Sequence, residues 1–183
     1  MEEAVAKVNG MAIQWLAVIG TREVTPQMRS DVAGRVLRAI KEGWGIVTGG
    51  STGVDTVAMA AAMKYRGTVR VYLPMALDLY EPLLMARAQA GKCLEHDARL
   101  TIATLKDLKT RDPSALVEPD DFTELTPEAF YARNEMVLRD ADVVAAFHLT
   151  GNATASKLPA GTLLTAQRAR ELGKVVEVFE YEA

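Results

Sequence analysis

A glycine-rich turn within residues 45–55 is the first pattern in this sequence that could bind a ligand. Residues 46–47 are apolar and β-branched, which predicts a short buried strand, and residues 54–63 have the small apolar side chains of a helix. A helix that begins at a glycine turn presents unpaired backbone N–H groups, which bind anions. A tight turn without a ligand is the alternative for this loop taken alone. The loop residues expected to contact phosphate are Gly49, Gly50, Ser51 and Gly53.

A second candidate anion contact follows the apolar run at residues 12–19. Gly20, Thr21 and Arg22 come directly after it. A planar guanidinium can hold a phosphate through two parallel hydrogen bonds, although a structural salt bridge is the alternative for Arg22. Asp55 falls in the first turn of the helix after the glycine loop, where it could complement the helix dipole or accept hydrogen bonds from a ribose or a base.

Two further pairs of residues complete the candidate site. Arg133 and Asn134 lie within a predicted helix, three and four residues after Phe130, which should face the core. A surface arginine and a capping amide are the alternatives for this pair. Gly161 and Thr162 open another helix, whose N-terminus offers a second position for an anion.

Predicted strands and helices alternate along most of the chain, which indicates a parallel sheet with right-handed crossovers. We therefore expect an α/β fold with a doubly wound, mostly parallel open sheet and helices on both faces. Ligands of such folds bind beyond the carboxyl ends of the strands, where the candidate residues meet. Strands are predicted at 12–19, around 46, and at 68–73, 142–147 and 175–179, and helices begin at 26, 54, 127 and 160.

Residues 75–121 are the hardest part of the chain to interpret. Residues 82–92 and, less clearly, 96–109 have helical patterns, but 100–105 could also form a strand. This segment is a variable insert that either caps the cleft or packs at an edge of the sheet, and the pattern favours packing. Residues 148–159 are predicted to form a polar loop.

Bulk properties exclude several classes of protein. The chain has 183 residues, which fits one domain spanning 1–183, and a net charge of −3, so any DNA affinity must depend on a few placed arginines. No apolar run is long enough to cross a membrane and no signal-peptide pattern is present, so we expect a cytoplasmic protein that does not bind membranes. One cysteine and two histidines leave no disulfide or usual zinc site, and we expect neither a metal nor a cofactor.

Two sequence motifs of common enzyme classes are absent: G-x-G-x-x-G of dinucleotide-binding enzymes and G-x-x-x-x-G-K-[ST] of P-loop NTPases.

Four short motifs in order resemble those of the DprA/Smf DNA-processing proteins: residues 18–22, 47–55, 132–134 and 161–166. The resemblance covers roughly 12–179, apart from the middle segment. It implies a Rossmann-like fold and a phosphate-rich ligand, either a nucleotide or single-stranded DNA that is passed to a recombinase, bound by a homo-oligomer. By motif position it implies these binding residues: Arg22, Gly49, Gly50, Gly53, Asp55, Arg133, Asn134, Gly161 and Thr162.

The same superfamily includes the "lonely guy" nucleotide phosphoribohydrolases, which are the enzyme alternative. Their P-G-G-x-G-T-x-E-E motif carries a catalytic glutamate, whereas this chain has Leu164 and Thr165 at the acidic positions. Cleavage of an N-glycosidic bond needs a group that activates water or stabilises the developing cation. We therefore favour binding over hydrolysis and assign no catalytic residue. A sensor of small nucleotides that signals through residues 75–121 is a third interpretation.

Overall fold

The computed structural model describes residues 7–8, 11–150 and 161–182. Its strands are β1 (Lys7–Val8), β2 (Met11–Ala12), β3 (Trp15–Gly20), β4 (Gly45–Thr48), β5 (Val69–Tyr72), β6 (Leu116–Val117), β7 (Val143–Thr150) and β8 (Val175–Glu182). Its helices are α1 (Pro26–Lys41), α2 (Val54–Lys64), α3 (Leu77–Gln89), α4 (Glu95–Arg111), α5 (Pro127–Asp140) and α6 (Gly161–Glu171), with a short 3₁₀ helix at Pro113–Ala115.

Six of the strands form one parallel sheet in the order β6-β5-β4-β3-β7-β8, while β1 and β2 form a separate antiparallel pair. The chain runs outward from β3 through β4 and β5 to β6 on one side, and through β7 to β8 on the other. The strand order therefore reverses between β3 and β7, where a crevice forms at the carboxyl edge. This topology confirms the predicted doubly wound, Rossmann-like α/β fold.

Helices cover both faces of the sheet because its central strand is apolar on both sides. Leu16 and Val18 of β3 lie in the core shared with α1, α2, α3 and α4. Ala17 and Ile19, which point the other way, pack with α5 and α6. A strand buried on both faces reads as a continuous apolar run, which is why β3 could be predicted from its sequence.

Threonine caps set the starts of the two helices that were easiest to predict. Thr25 accepts a hydrogen bond from the Met28 N–H at 3.2 Å, and Thr126 accepts one from the Ala129 N–H at 3.3 Å. In each case a proline occupies the first helical position, where its missing N–H costs nothing. The cap and the proline together confirm the predicted helix starts at 26 and 127.

The middle segment packs on the sheet through α3 and α4. Ala98, Ile102, Leu105 and Leu108 of α4 are buried at helical spacing, so the alternative of a strand at 100–105 is wrong. The Tyr80 hydroxyl of α3 donates a buried hydrogen bond of 3.2 Å to the Gly50 carbonyl, which attaches this segment to the glycine loop.

The last two strands extend further than the sequence predicts. β7 continues through His148 to Thr150 and pairs with β8 up to Glu182, so the expectation that a loop begins at residue 148 is wrong. The Thr150 hydroxyl also donates to the Tyr181 carbonyl at 2.9 Å. Each strand provides backbone hydrogen-bond partners for the other, and this pairing cannot be predicted from the sequence of either strand alone. Residues 151–159 of the predicted loop lie outside the described residues.

Across the described ranges, the structure contains no helix that is long and apolar enough to cross a bilayer.

Strand β8 is attached to α1 by two side-chain contacts. The Tyr181 hydroxyl donates to Asp31 Oδ2 at 3.0 Å, and Arg35 donates to both oxygens of Glu177 at 2.8 and 3.1 Å. Partial burial and the bond to Asp31 raise the pKa of Tyr181 to about 12. The protonated phenol is therefore the form that stabilises this edge of the sheet.

The Tyr181 contact predicts a pH dependence of stability. The folded protein holds this proton more tightly than the unfolded chain, so the contribution is complete below pH 10 and is lost as the pH rises through about 12. Tyr181→Phe should lower the free energy of unfolding at pH 8 by about 0.5–1.5 kcal/mol. Urea unfolding at pH 8 and pH 11 should show a smaller alkaline loss for the variant. An equal loss in both proteins would contradict the contribution of this bond.

Candidate functional site

A cleft of about 590 Å³ opens at the crevice beside the carboxyl ends of β3 and β4. One wall is the loop after β3, and the floor includes the glycine loop and the first turn of α2. The opposite wall is one face of α5, joined by the start of α6. Side chains from the end of α3 and the turn after it lie at the rim.

Ten of the twelve predicted site residues line this cleft: Gly20, Thr21, Arg22, Gly49, Ser51, Asp55, Arg133, Asn134, Gly161 and Thr162. They come from four separate stretches of the chain, which the parallel sheet brings to one edge. Gly50 and Gly53 do not line it.

Gly50 and Gly53 shape the loop rather than the surface of the cleft. Gly50 has φ +65°, and a Cβ there would lie 2.6 Å from the Leu73 side chain in the core. Gly53 has φ +84°, and a Cβ there would lie 2.3 Å from the Thr21 carbonyl oxygen. Each position therefore requires glycine for its conformation and for the close approach of neighbouring chain.

The guanidinium of Arg133 is buried at the centre of the site and 6% exposed. Its Nε donates to Asn134 Oδ1 at 2.9 Å and its Nη2 donates to the Ser51 hydroxyl at 3.1 Å. Its Nη1 lies 3.8 Å from Asp55 Oδ2 and has no hydrogen-bond partner among the described residues. A Cβ at Gly49 would lie 2.1 Å from Nη1, so Arg133 occupies space that only glycine leaves open.

Asp55 stabilises the glycine loop by a hydrogen bond to its backbone. Its Oδ2 accepts the Ser51 N–H at 3.1 Å, and the side chain is almost fully buried beside Arg133. Burial raises the pKa of the Asp55 carboxyl, while Arg133 and the Ser51 N–H act in the opposite direction. Of the two alternatives for Asp55, this geometry favours a structural role over a contact to ribose or base.

The glycine loop offers fewer free backbone N–H groups to an anion than its sequence predicts. The Val54 N–H, at the start of α2, donates to the Thr21 carbonyl at 3.1 Å, and the Ser51 N–H is taken by Asp55. The expectation of unpaired N–H groups is wrong for these two, because the protein supplies its own acceptors. The positive charge in the cleft comes instead from side chains.

Three guanidinium groups surround the ring of Phe130. The guanidinium carbons (Cζ) of Arg22, Arg87 and Arg133 lie 5.6, 5.6 and 5.7 Å from the ring centroid, which is within the range of cation–π contacts. Phe130 is half-buried and lines the cleft, so the expectation that it faces the core is wrong. The face of α5 in the cleft repeats at helical spacing, from Pro127 through Phe130 to Asn134, and this repeat was the signal available in the sequence.

Arg87 and Lys92 are cleft residues that the sequence did not reveal. They belong to the end of α3 and the turn after it, in the segment whose pattern could not be interpreted. Neither belongs to a recognisable local motif, and only the packing of α3 on the sheet brings them to the rim.

The amide of Asn134 joins α5 to α6. Its Nδ2 donates to the Thr165 hydroxyl at 3.1 Å, and Thr165 donates to the Gly161 carbonyl at 2.9 Å. Thr165 is buried, and this contact fills the position where the phosphoribohydrolase motif has a carboxylate. Asn134 therefore orients the start of α6 and the guanidinium of Arg133.

The arrangement suits a phosphate-bearing ligand. Four basic side chains and two acidic ones line the cleft, and Asp55 already faces Arg133. Tyr131, an aromatic residue on the same wall, is 56% exposed. Guanidinium groups beside an exposed ring match a ligand that carries both phosphate and an aromatic base.

Solved structures share this fold. DNA processing protein A from Helicobacter pylori, whose single-stranded DNA binding mode has been described, is 25% identical, with a TM-score of 0.61 over 90% of this chain and 64% of that chain. DprA from Streptococcus pneumoniae is 22% identical, with a TM-score of 0.60 over 91% and 50%. The molybdenum cofactor binding protein from Rippkaea orientalis is 18% identical, with a TM-score of 0.55 over 93% and 78%, and shows likeness of fold alone.

The chain spans one half to two thirds of the length of the two DNA-processing proteins. No curated protein matches its sequence significantly. The profile of the family described as DNA recombination-mediator protein A matches residues 7–182, which is nearly the whole chain. With its motifs gathered at one cleft and its fold shared with two DNA-processing proteins, this chain belongs to the DNA recombination-mediator protein A family.

Proposed function

We propose that this protein binds single-stranded DNA in the cleft at the carboxyl edge of its sheet. The observation that carries the proposal is the group of three arginines around Phe130, in a cleft whose lining has more basic than acidic side chains. Membership of the family supports it, as does the described single-stranded DNA binding of the Helicobacter pylori protein.

The charge of the whole chain makes this proposal specific. A net charge of −3 provides no general attraction for a polyanion, so the affinity must come from the cleft. Arg22 and Lys92 are exposed at its rim, whereas Arg133 is buried at its centre. We assign the exposed cations to phosphate contacts, while Arg133 also maintains the shape of the loop.

The predicted site residues divide into two groups under this proposal. Gly20, Thr21, Arg22, Ser51, Gly161 and Thr162 line the cleft and are assigned to the ligand, as is Arg133. Asp55 and Asn134 position Arg133, Gly49 leaves the space that its guanidinium occupies, and Gly50 and Gly53 set the conformation of the loop. Tyr131 supplies an exposed ring on which a base can stack without regard to sequence.

The biological setting is also part of the proposal. We infer a cytoplasmic protein with one domain spanning 1–183, which acts as a homo-oligomer and passes its DNA to a recombinase. Light scattering during gel filtration, with and without an oligonucleotide, tests the oligomeric state. A mass equal to one chain in both conditions would remove that part of the proposal and leave the DNA-binding part intact.

Arg22 provides the direct test of phosphate binding. Arg22→Ala should weaken binding of a twelve-residue oligo-dT and reduce its salt dependence by about 0.7 log units of affinity per decade of salt, because one counterion fewer is released. Fluorescence anisotropy at several salt concentrations measures both quantities. The matched control is Arg111→Ala, which removes the same charge from an exposed pair with Asp107 outside the cleft.

The control should leave the salt slope unchanged. If Arg22→Ala keeps the wild-type slope while its thermal unfolding is normal, phosphate binding at this cleft is contradicted.

Gly49 and Gly50 offer a second, paired test. Gly49→Ala forces the buried guanidinium of Arg133 away from its contacts with Ser51 and Asp55, so it should weaken DNA binding more than it lowers stability. Gly50→Ala forces a positive φ on alanine and pushes against Leu73 in the core, so it should lower the free energy of unfolding by about 1–3 kcal/mol. Urea unfolding and anisotropy measure the two effects. The reverse pattern would contradict the structural roles assigned to these glycines.

A further inference from the structure

We propose that Arg22, Arg87 and Arg133 together form a site for a phosphomonoester, such as the terminal phosphate of a strand or the phosphate of a free nucleotide. This proposal rests on the proposed function and specifies which part of the ligand occupies the cleft.

The density of positive charge carries the argument. The three guanidinium carbons lie within 5.7 Å of one ring centroid, so no two can be farther apart than twice that distance. An internal phosphodiester carries one negative charge. A phosphomonoester near neutral pH carries nearly two, on three acceptor oxygens. Three guanidiniums held this close to one ring match the second group in both charge and number of donors.

The buried donor of Arg133 is the second, independent observation. Its Nη1 is enclosed by protein and has no hydrogen-bond partner among the described residues. A buried donor without a partner costs free energy, which an incoming oxygen acceptor can recover. The same guanidinium lines the cleft, so a small adjustment of its side chain would present this donor to a ligand.

The charges of the side chains that line the cleft also favour an anion. Asp55 lies 3.8 Å from Arg133 and partly offsets that charge, but it is buried on the loop side. Burial, and then the positive charge of Arg22, lower the pKa of Arg87. Arg22 and Arg87 therefore repel each other, and a doubly charged phosphate bound beside both of them would relieve that repulsion.

Arg87 is the member of this site that lies outside the four sequence motifs. It belongs to α3, which is attached to the glycine loop by the hydrogen bond from Tyr80 to the Gly50 carbonyl. The helix α3 thus brings a third guanidinium to a cleft to which the four motifs contribute two.

The test compares three oligo-dT strands of twelve residues, with a 5′-phosphate, with a 3′-phosphate and with neither, against the wild-type protein. An added charge-assisted contact should give one phosphorylated strand an affinity about 10- to 150-fold higher than that of the unphosphorylated strand. Arg87→Ala should reduce this preference, measured as the ratio of the two affinities in the variant itself, to about threefold or less, with the unphosphorylated strand also bound more weakly than by the wild type. Arg111→Ala, the matched loss of charge outside the cleft, should keep the full preference.

Competition separates the two sources of the phosphate. Thymidine monophosphate and thymidine are each used to displace the phosphorylated strand. If the monophosphate does so at less than one tenth of the thymidine concentration, a free nucleotide is supported as the ligand. Preference for a phosphorylated strand without such competition supports a strand end. Equal affinity for all three strands overturns the phosphomonoester site and leaves the proposed function standing. Failure of every strand and nucleotide to bind overturns both.

Discussion

The buried guanidinium of Arg133 is the interaction on which the rest of the site depends. It bridges α5, which packs on one face of the sheet, to the glycine loop at the end of β4. It fits only because Gly49 has no side chain, and its charge is what makes a buried Asp55 tolerable. Loss of this one group would leave an isolated buried carboxylate and release the loop from the helix.

The cleft has two parts, a frame that the sequence motifs predict and a wall that lies outside them. The frame consists of the loops after β3 and β4 and the starts of α2 and α6, and the sequence motifs account for it. The added wall is α3, which is attached to the loop by Tyr80 and contributes Arg87 to the cluster around Phe130. An acidic protein can thus carry a locally positive cleft, because three elements far apart in sequence converge on a single ring.

Much of the fold was predictable because its signals are local. The apolar run of β3 and the Thr126-Pro127 start of α5 are examples that the structure confirms. Predictions were wrong where long-range packing decides. The pairing of β7 with β8 extends both strands, and the orientation of α5 turns Phe130 into the cleft. The Leu73 side chain leaves no room for a Cβ at Gly50, and no local sequence pattern connects these two residues.

The most direct measurement of the central claim is a crystal structure of this protein with a six-residue oligo-dT. We predict a phosphate in the cleft, with its oxygen atoms about 2.7–2.9 Å from a guanidinium nitrogen of Arg22 or Arg87 and a base against the ring of Tyr131. Arg133 should keep its hydrogen bond to Ser51, with its Nη1 turned toward the phosphate. An oligonucleotide bound on another face, with the cleft between β3 and α5 empty, would contradict this account.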